Sequence, residues 1–171
     1  MLRCEHLIAH PGLLPMMKAD QDKLTHLYNA QGFVRASEHM LAISDGPVSC
    51  AMLLAIEVGN LKFIEQALGR EAVDPLLTRT ADILRGVFRG AVIGRLGVDR
   101  FAVLILASPS KCTELLAAFN EDIDAANLAD PNSYLSLGGK YCLFDPGCSD
   151  SLASNTEGVV IRDESNTSSR F

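Results

Sequence analysis

Histidine and cysteine, side chains that often ligate transition metals, occur close together near the start of the chain. Cys4, His6 and His10 together could suggest a metal cluster. A structural zinc site has four ligands, whereas this group offers three within a leading segment. His26 and His39 lie near no plausible nucleophile and are expected on the surface or on a helix face. These residues therefore predict neither a zinc site nor acid–base chemistry.

Carboxylates offer a second kind of chemistry, and three of them lie where predicted elements begin or end. Glu57 follows an apolar run, Asp99 lies in a predicted hairpin turn, and Asp74 precedes Pro75. By residue type alone, Glu57 and Asp99 are solvated carboxylates at a strand end and in a turn. Asp74 before Pro75 is typical of a helix N-cap followed by proline at the first helical position.

The elements that would position these side chains follow from hydrophobic periodicity. Helical spacing predicts helices over residues 30–43, 60–68, 74–88 and 108–127, and β-type runs predict strands over residues 49–58, 91–96, 100–106 and 134–144. The 49–58 segment is near-continuously apolar, as in a strand buried on both faces at the centre of a sheet. Gly97, Val98 and Asp99 separate two of the strands as a hairpin turn, which makes those strands antiparallel neighbours.

This order of elements predicts the α+β class, as an α/β sandwich whose central sheet is mixed and mostly antiparallel, with flanking helices. We interpret residues 1–21 as a lead-in segment, residues 22–148 as the domain, and residues 149–171 as a polar, loosely ordered tail. Within that tail, Val159–Ile161 is the one candidate for a short strand.

Composition and charge exclude several classes of protein. With 171 residues, 48% of them hydrophobic, the chain can bury the core of one domain. Its net charge of −6 and the lack of a basic run argue against binding to nucleic acid or to an anionic membrane surface. The longest apolar run falls far short of the ~20 residues that span a bilayer. Five cysteines without a CxxC pair indicate reduced thiols and a cytoplasmic location.

Three segments carry recognisable motifs. Asp22–Phe33 reads DKLTHLYNAQGF, Leu53–Leu77 reads LLAIEVGNLKFIEQALGREAVDPLL, and Arg95–Ile105 reads RLGVDRFAVLI. In this order and spacing they resemble the GGDEF family of diguanylate cyclases, with GVDRF at the position of the GGDEF or GGEEF signature. Together with the strand that ends in FDPG, the resemblance covers about residues 22–147. It implies a fold similar to the ferredoxin-like palm of nucleotide cyclases and polymerases.

The resemblance also implies a metal site for joining two GTP molecules. In the family, divalent metal ions held by carboxylates activate the attacking hydroxyl and neutralise the leaving pyrophosphate. The matching positions here are Glu57, the backbone of Val58, and Asp99, which would also be the catalytic carboxylate. The implied cofactor is Mg²⁺. Glu57 is one methylene longer than the usual aspartate, which displaces a metal ion held there or demands a different approach of the backbone.

Nucleotide-binding positions carry over in part. Lys62 stands at the family's lysine and would face a phosphate. Asp74 stands at the family's guanine-binding aspartate, so its carboxylate could accept hydrogen bonds from guanine N1 and N2. Glu65 replaces an asparagine whose amide donates to the base, and this replacement predicts weakened guanine selectivity.

The signature turn, Gly97 to Phe101, departs most from the family pattern. Arg100 replaces a glutamate: if its side chain points inward, its positive charge opposes metal binding, and if strand alternation turns it outward, only a carboxylate is lost. Val98 replaces a glycine at a place where the turn is expected to need a positive φ or a close approach of nucleotide. Gly59 replaces the second aspartate after the central strand.

Two further family features have no counterpart in the sequence. The Arg-x-x-Asp product-inhibition motif would fall at Phe88 and Ala91, so no product-inhibition site is predicted. A closing helix whose basic residues hold phosphates does not appear in the pattern of residues 149–171.

These substitutions favour a degenerate GGDEF domain in bacterial cyclic di-GMP signalling, with little or no cyclase activity. It would act as a regulatory module that binds GTP, or as a dimerisation module, beside an EAL phosphodiesterase or sensor domain of a longer parent protein. The alternative is an active diguanylate cyclase that condenses two GTP with a divalent metal, which requires a homodimer with two GTP-loaded domains face to face.

Overall fold

Helices and strands follow one another along the chain in the predicted order. The computed structural model describes residues 17–43 and 50–144. The helices are α1 (Ala30–Ala42), α2 (Leu61–Leu68), α3 (Val73–Val87) and α4 (Pro109–Ala129), and the strands are β1 (Ala51–Val58), β2 (Val92–Arg95), β3 (Arg100–Leu106) and β4 (Leu137–Phe144). Short 3₁₀ turns precede α1, α3 and β4, at Lys18–Asp20, Arg70–Ala72 and Pro131–Ser133.

The four strands form one sheet in the order β2-β3-β1-β4, with every neighbouring pair antiparallel. An isolated bridge between Tyr28 and Gly94 adds a parallel pairing at the β2 edge. The predicted α+β fold with a mostly antiparallel central sheet is therefore confirmed. β1 is central, as its apolar sequence predicts, and the β2–β3 hairpin lies directly beside it.

Apolar side chains cover the two faces of the sheet unequally. One face packs under α3 and α4 in the larger core, where Met52, Leu54 and Ile56 of β1 meet the helices. Phe88 and Phe119 add an aromatic contact to this core, with ring centroids 5.5 Å apart. The opposite face holds a smaller core beneath α1, with α1 packed against β2. Burial on this second face is concentrated toward the β2 edge.

The expectation that β1 is buried on both faces is wrong at its carboxyl end. Ala55 and Glu57, which share the α1 side of the sheet, are exposed. The physical reason is the position of α1, which packs against β2 and leaves the end of β1 uncovered. An apolar run in sequence cannot show which neighbour covers it. The uncovered end is where the candidate site lies.

Two predicted helix starts have different outcomes. Ser108 caps α4, since its side chain accepts from the Lys111 amide, and Pro109 occupies the first helical turn as predicted. Asp74 is not the N-cap of α3, because the helix begins at Val73 after a 3₁₀ turn and has Ala72 in the cap position. Its carboxylate lies instead in the first turn, where its negative charge interacts favourably with the positive end of the helix dipole.

Some expectations fall outside the described residues. These are the Cys4, His6 and His10 group, and the polar tail with Val159–Ile161. The last strand begins later than expected, at Leu137 rather than at residue 134. A 3₁₀ turn at residues 131–133 precedes it. Among the described residues, no helix combines the length and the apolar character needed to cross a bilayer.

Candidate functional site

The signature turn meets the end of β1 through backbone hydrogen bonds. The Val58 amide donates to the Asp99 carbonyl at 2.8 Å, and the Leu96 amide closes the hairpin onto the Arg100 carbonyl at 2.8 Å. In the sheet register, Glu57 lies directly opposite Arg100. The structure therefore brings together the predicted metal residues Glu57, Val58 and Asp99, and adds Arg100 to the same place.

Val98 fits its turn without backbone strain. Neither Gly97 nor Val98 has a positive φ, so the expectation that this turn requires a glycine conformation at Val98 is wrong. The Val98 side chain is 72% exposed and projects from the turn. Phe101, the last residue of the signature, is buried in the larger core and anchors the turn to the sheet.

Arg95 stabilises the signature turn through a hydrogen bond to its backbone. This residue was not singled out from the sequence. Its Nη2 donates to the Val98 carbonyl at 2.7 Å, and its Nη1 lies 3.3 Å from Asp22 Oδ1. The Arg95 side chain is 12% exposed, so this ion pair is largely shielded from water. The signal available in the sequence was its position two residues before Gly97, in the quoted motif.

Asp22 is the anionic partner of Arg95 and lies in the turn that opens the first motif. Its Oδ1 accepts from the Thr25 amide at 2.8 Å and from the Thr25 hydroxyl at 2.7 Å. Burial opposes ionisation, but the Thr25 hydrogen bonds and the Arg95 charge together lower the pKa of Asp22 below its usual value. Arg85 of α3 donates to the Thr25 carbonyl and fixes the same turn.

Arg100 points outward along the hairpin turn. Its side chain is 71% exposed and its Nε lies 4.0 Å from Asp99 Oδ1. The aliphatic part of the Arg100 side chain lies next to Gly97, since a Cβ added at Gly97 would be 3.7 Å from the Arg100 Cβ. A solvent-exposed ion pair of this kind is worth roughly 0–1 kcal/mol. The guanidinium nevertheless places a positive charge beside the Asp99 carboxylate, which disfavours a second cation there.

The donor set at this place does not fit the divalent metal ions that the family's reaction uses. Glu57 and Asp99 are the two carboxylates, and the guanidinium of Arg100 beside them leaves a single net negative charge. Across residues 17–43 and 50–144, no three histidine, cysteine, aspartate or glutamate side chains are grouped to hold a metal ion. Divalent cations are usually bound by several oxygen ligands, with carboxylates supplying the charge.

The space for the missing second aspartate is closed by another loop. The Gly59 amide donates to the Ser136 carbonyl at 2.7 Å, and a Cβ added at Gly59 would lie 3.0 Å from the Ser136 Oγ. A side chain at this position needs the Ser136 hydroxyl to shift by a few tenths of an ångström. Glycine here therefore allows close packing against Ser136, which sequence reasoning did not reveal.

The predicted nucleotide-binding residues Lys62, Glu65 and Asp74 are all exposed. Lys62 and Glu65 lie on the solvent side of α2. Asp74 lies in an open groove of about 570 Å³ lined by Glu71, Asp74, Pro75, Thr78, Arg79 and Asp82. The lining of this groove includes neither Lys62 nor Glu65. It comes from α3 and the preceding turn alone and is mainly acidic, so we place the candidate site at the end of β1.

The positions of the family's product-inhibition motif belong to the core. Phe88 is 1% exposed and packs on Phe119, and Ala91 is 9% exposed. Neither side chain is available to a ligand at the surface.

Comparison with known families supports the resemblance seen in the sequence. The sequence model described as the diguanylate cyclase GGDEF domain matches residues 19–134. No curated protein sequence matches the chain.

Several solved GGDEF domains have the same fold as this chain. The chain is similar to the GGDEF domain of FimX from Pseudomonas aeruginosa, with a TM-score of 0.63 and 19% identity, covering 76% of this chain and 83% of that one. The GGDEF domain of TpbB (YfiN) from the same organism gives a TM-score of 0.61 at 29% identity, covering 72% of this chain and 75% of that one. The GGDEF domain of DgcB from Caulobacter crescentus, solved in complex with c-di-GMP, gives 0.64 at 16% identity, covering 79% and 83%.

Proposed function

Since the chain belongs to the GGDEF, or diguanylate cyclase, domain family, we propose that it is a member with little or no cyclase activity. In this proposal the domain serves cyclic di-GMP signalling in the cytoplasm as a regulatory module that binds GTP. If the domain does not bind GTP, we propose that it acts as a dimerisation module instead.

One observation carries the proposal: the guanidinium of Arg100 lies beside the carboxylate of Asp99, on a residue that pairs with Glu57 in the sheet register. In the family pattern this place provides carboxylates for divalent metal ions. A permanently charged cation there disfavours metal binding, and lost metal ligands cost large factors in rate.

The regulatory role follows from what a nucleotide-binding domain without turnover can do. A bound nucleotide biases a neighbouring domain by as much as its affinities for the two states differ. The neighbour we propose is an EAL phosphodiesterase or a sensor domain of a longer parent protein. The buried positions Phe88 and Ala91 further favour a domain without product inhibition at that place.

A calorimetric titration of the chain with GTP and Mg²⁺, followed by chromatography of the mixture, tests the proposal. We expect heat of binding and no cyclic di-GMP. Cyclic di-GMP formed at turnover rates would favour the active diguanylate cyclase, acting as a face-to-face homodimer. No heat at millimolar GTP would remove the GTP-binding role and leave dimerisation, which sedimentation of the same sample would then test.

A further inference from the structure

A second cation shares the face of the sheet on which Glu57 and Arg100 lie. Glu57 is directly opposite Arg100 on β3 and opposite Gly138 on β4. Lys140 lies two residues beyond Gly138 on β4, where it pairs with Ala55 of β1. Because alternate residues of a strand project to the same face, Arg100 and Lys140 flank Glu57 on one side of the sheet.

The surface between these cations is open. Ala55 is exposed, and a Cβ added at Gly138 would meet no atom within 4 Å. Arg100 is 71% exposed and Lys140 is also exposed, so both charged groups reach solvent. Small residues between two cations leave room for a ligand to lie flat on the strands. The β2 side of the same face is covered by α1 instead.

The charges on this face suit an anion better than a metal ion. Arg100 and Lys140 provide two positive charges beside Glu57 on this face, and the second carboxylate, Asp99, lies in the turn next to Arg100. The Asp99–Arg100 contact is long, at 4.0 Å, and solvent-exposed, and such pairs contribute little to stability. The guanidinium can therefore turn toward a phosphate, which it binds through paired N–H groups.

We infer that Arg100 and Lys140 bind the triphosphate of a guanine nucleotide on this open face without a divalent metal ion. The inference rests on the proposed GTP-binding function and deepens it. The two side chains supply the positive charge that metal ions supply in the family pattern. GTP would then bind with its phosphates held but with no metal ion to activate an attacking hydroxyl, which explains binding without turnover.

Titration of the full chain with GTP in EDTA and in excess Mg²⁺ tests the metal independence. The expected dissociation constants agree within about threefold, because both cations belong to the protein. Binding that requires Mg²⁺ would overturn the inference while leaving the proposed regulatory function in place. The absence of GTP binding under both conditions would also overturn it, and cyclic di-GMP formation would instead contradict the proposed function.

Charge-reversal variants test the two side chains. Arg100→Glu and Lys140→Glu should each weaken GTP binding in EDTA by about tenfold or more, because each replaces a phosphate contact with repulsion. Arg89→Glu is the matched control, since it makes the same change in net charge at an exposed residue before the start of β2. Equal losses in all three variants would reduce the effect to net charge and contradict the assignment.

Inorganic tripolyphosphate separates the phosphate contacts from the base contacts. It should compete with GTP for the wild-type chain in EDTA and fail to compete at the Arg100→Glu site. Competition that persists in Arg100→Glu would place the phosphates elsewhere and overturn the inference. Thermal unfolding of each variant confirms that the domain is folded before binding is compared.

Discussion

Single residues decide how the signature turn is held. Arg95 joins the Val98 carbonyl to the carboxylate of Asp22, so the first motif and the signature share one buried ion pair. Arg100, five residues later, extends into solvent and changes the charge of the site without changing the turn. The supporting contact and the altered chemistry thus belong to different arginines. Substitutions at the two should separate stability from binding.

Asp22→Asn should lower the free energy of unfolding by about 1–2 kcal/mol at neutral pH, because it leaves Arg95 partly buried without its counter-ion. The folded-state pKa of Asp22 lies below the ordinary value of 3.8. Its stabilising contribution is therefore present above that value and is lost as the pH falls through the lower folded pKa. Urea unfolding from neutral pH to about pH 3 should show the two proteins converging in acid.

Asp82→Asn is the control for Asp22→Asn, since Asp82 is exposed and its ion pair with Arg85 is a surface contact within α3. It should change the free energy of unfolding by less than about 0.5 kcal/mol. A gap between wild type and Asp22→Asn that stays constant into acid would show that the Asp22 charge contributes nothing.

Val98→Gly should lower the free energy of unfolding by about 0.5–1 kcal/mol, because glycine adds freedom to the unfolded chain and the turn needs no positive φ here. Chemical denaturation of the single variant measures this change. A more stable Val98→Gly protein would mean that valine is strained in the turn, as the sequence alone suggested.

The sequence predicted which residues meet at the end of β1, but it did not predict the residues of β4 and the preceding loop that lie next to them. Glu57 and Val58 do meet Asp99, because the pairing of β1 with β3 brings the hairpin turn to the end of β1. Ser136 and Lys140 could not be foreseen, because their relation to Gly59 and Glu57 depends on the register of β4, which no local pattern specifies.

At the scale of elements, hydrophobic periodicity predicted which segments form helices and strands. It predicted less well where a helix begins and which element buries a given strand. The central place of β1 and the hairpin of β2 and β3 follow from apolar runs around a turn. The start of α3 was misplaced by the strong Asp74-Pro75 signal, because a 3₁₀ turn brings the chain into the helix earlier. Coverage of β1 by α1 is a tertiary property that the sequence of β1 does not contain.

The start of β1 and the first turns of α4 meet through two buried thiols. The Cys50 carbonyl accepts from the Ala107 amide, and the Cys112 thiol lies 3.9 Å from the Ala107 carbonyl. Burial, together with the nearby Cys50, raises the pKa of the Cys112 thiol to about 11. Cys142 of β4 is only partly buried.

Iodoacetamide at mildly alkaline pH should therefore modify Cys142 well before Cys50 or Cys112 in the folded protein, since the thiolate is the reactive form. Peptide-resolved mass spectrometry against time measures the three rates, with the urea-unfolded chain as the control in which they should become similar. Rapid modification of Cys112 in the folded chain would contradict the packing of α4 against β1.

At the scale of the whole molecule, the chain keeps the fold of the family while its signature turn carries different residues. The family match over residues 19–134 and the antiparallel sheet show the GGDEF architecture, with Phe101 buried and the signature turn in contact with β1. Our proposal is that the charges at that contact no longer support the reaction. The architecture persists because the core of the sheet does not depend on the exposed residues Glu57, Val98 and Arg100.

The most direct test of this account is the rate of cyclic di-GMP formation from GTP and excess Mg²⁺, followed by chromatography over time. The wild-type chain should give no product above a protein-free sample. The combined variant Glu57→Asp, Val98→Gly and Arg100→Glu should bind Mg²⁺ more tightly than wild type, because it restores acidic ligands and removes the competing cation. Steady formation of cyclic di-GMP by the wild-type chain would contradict the central claim.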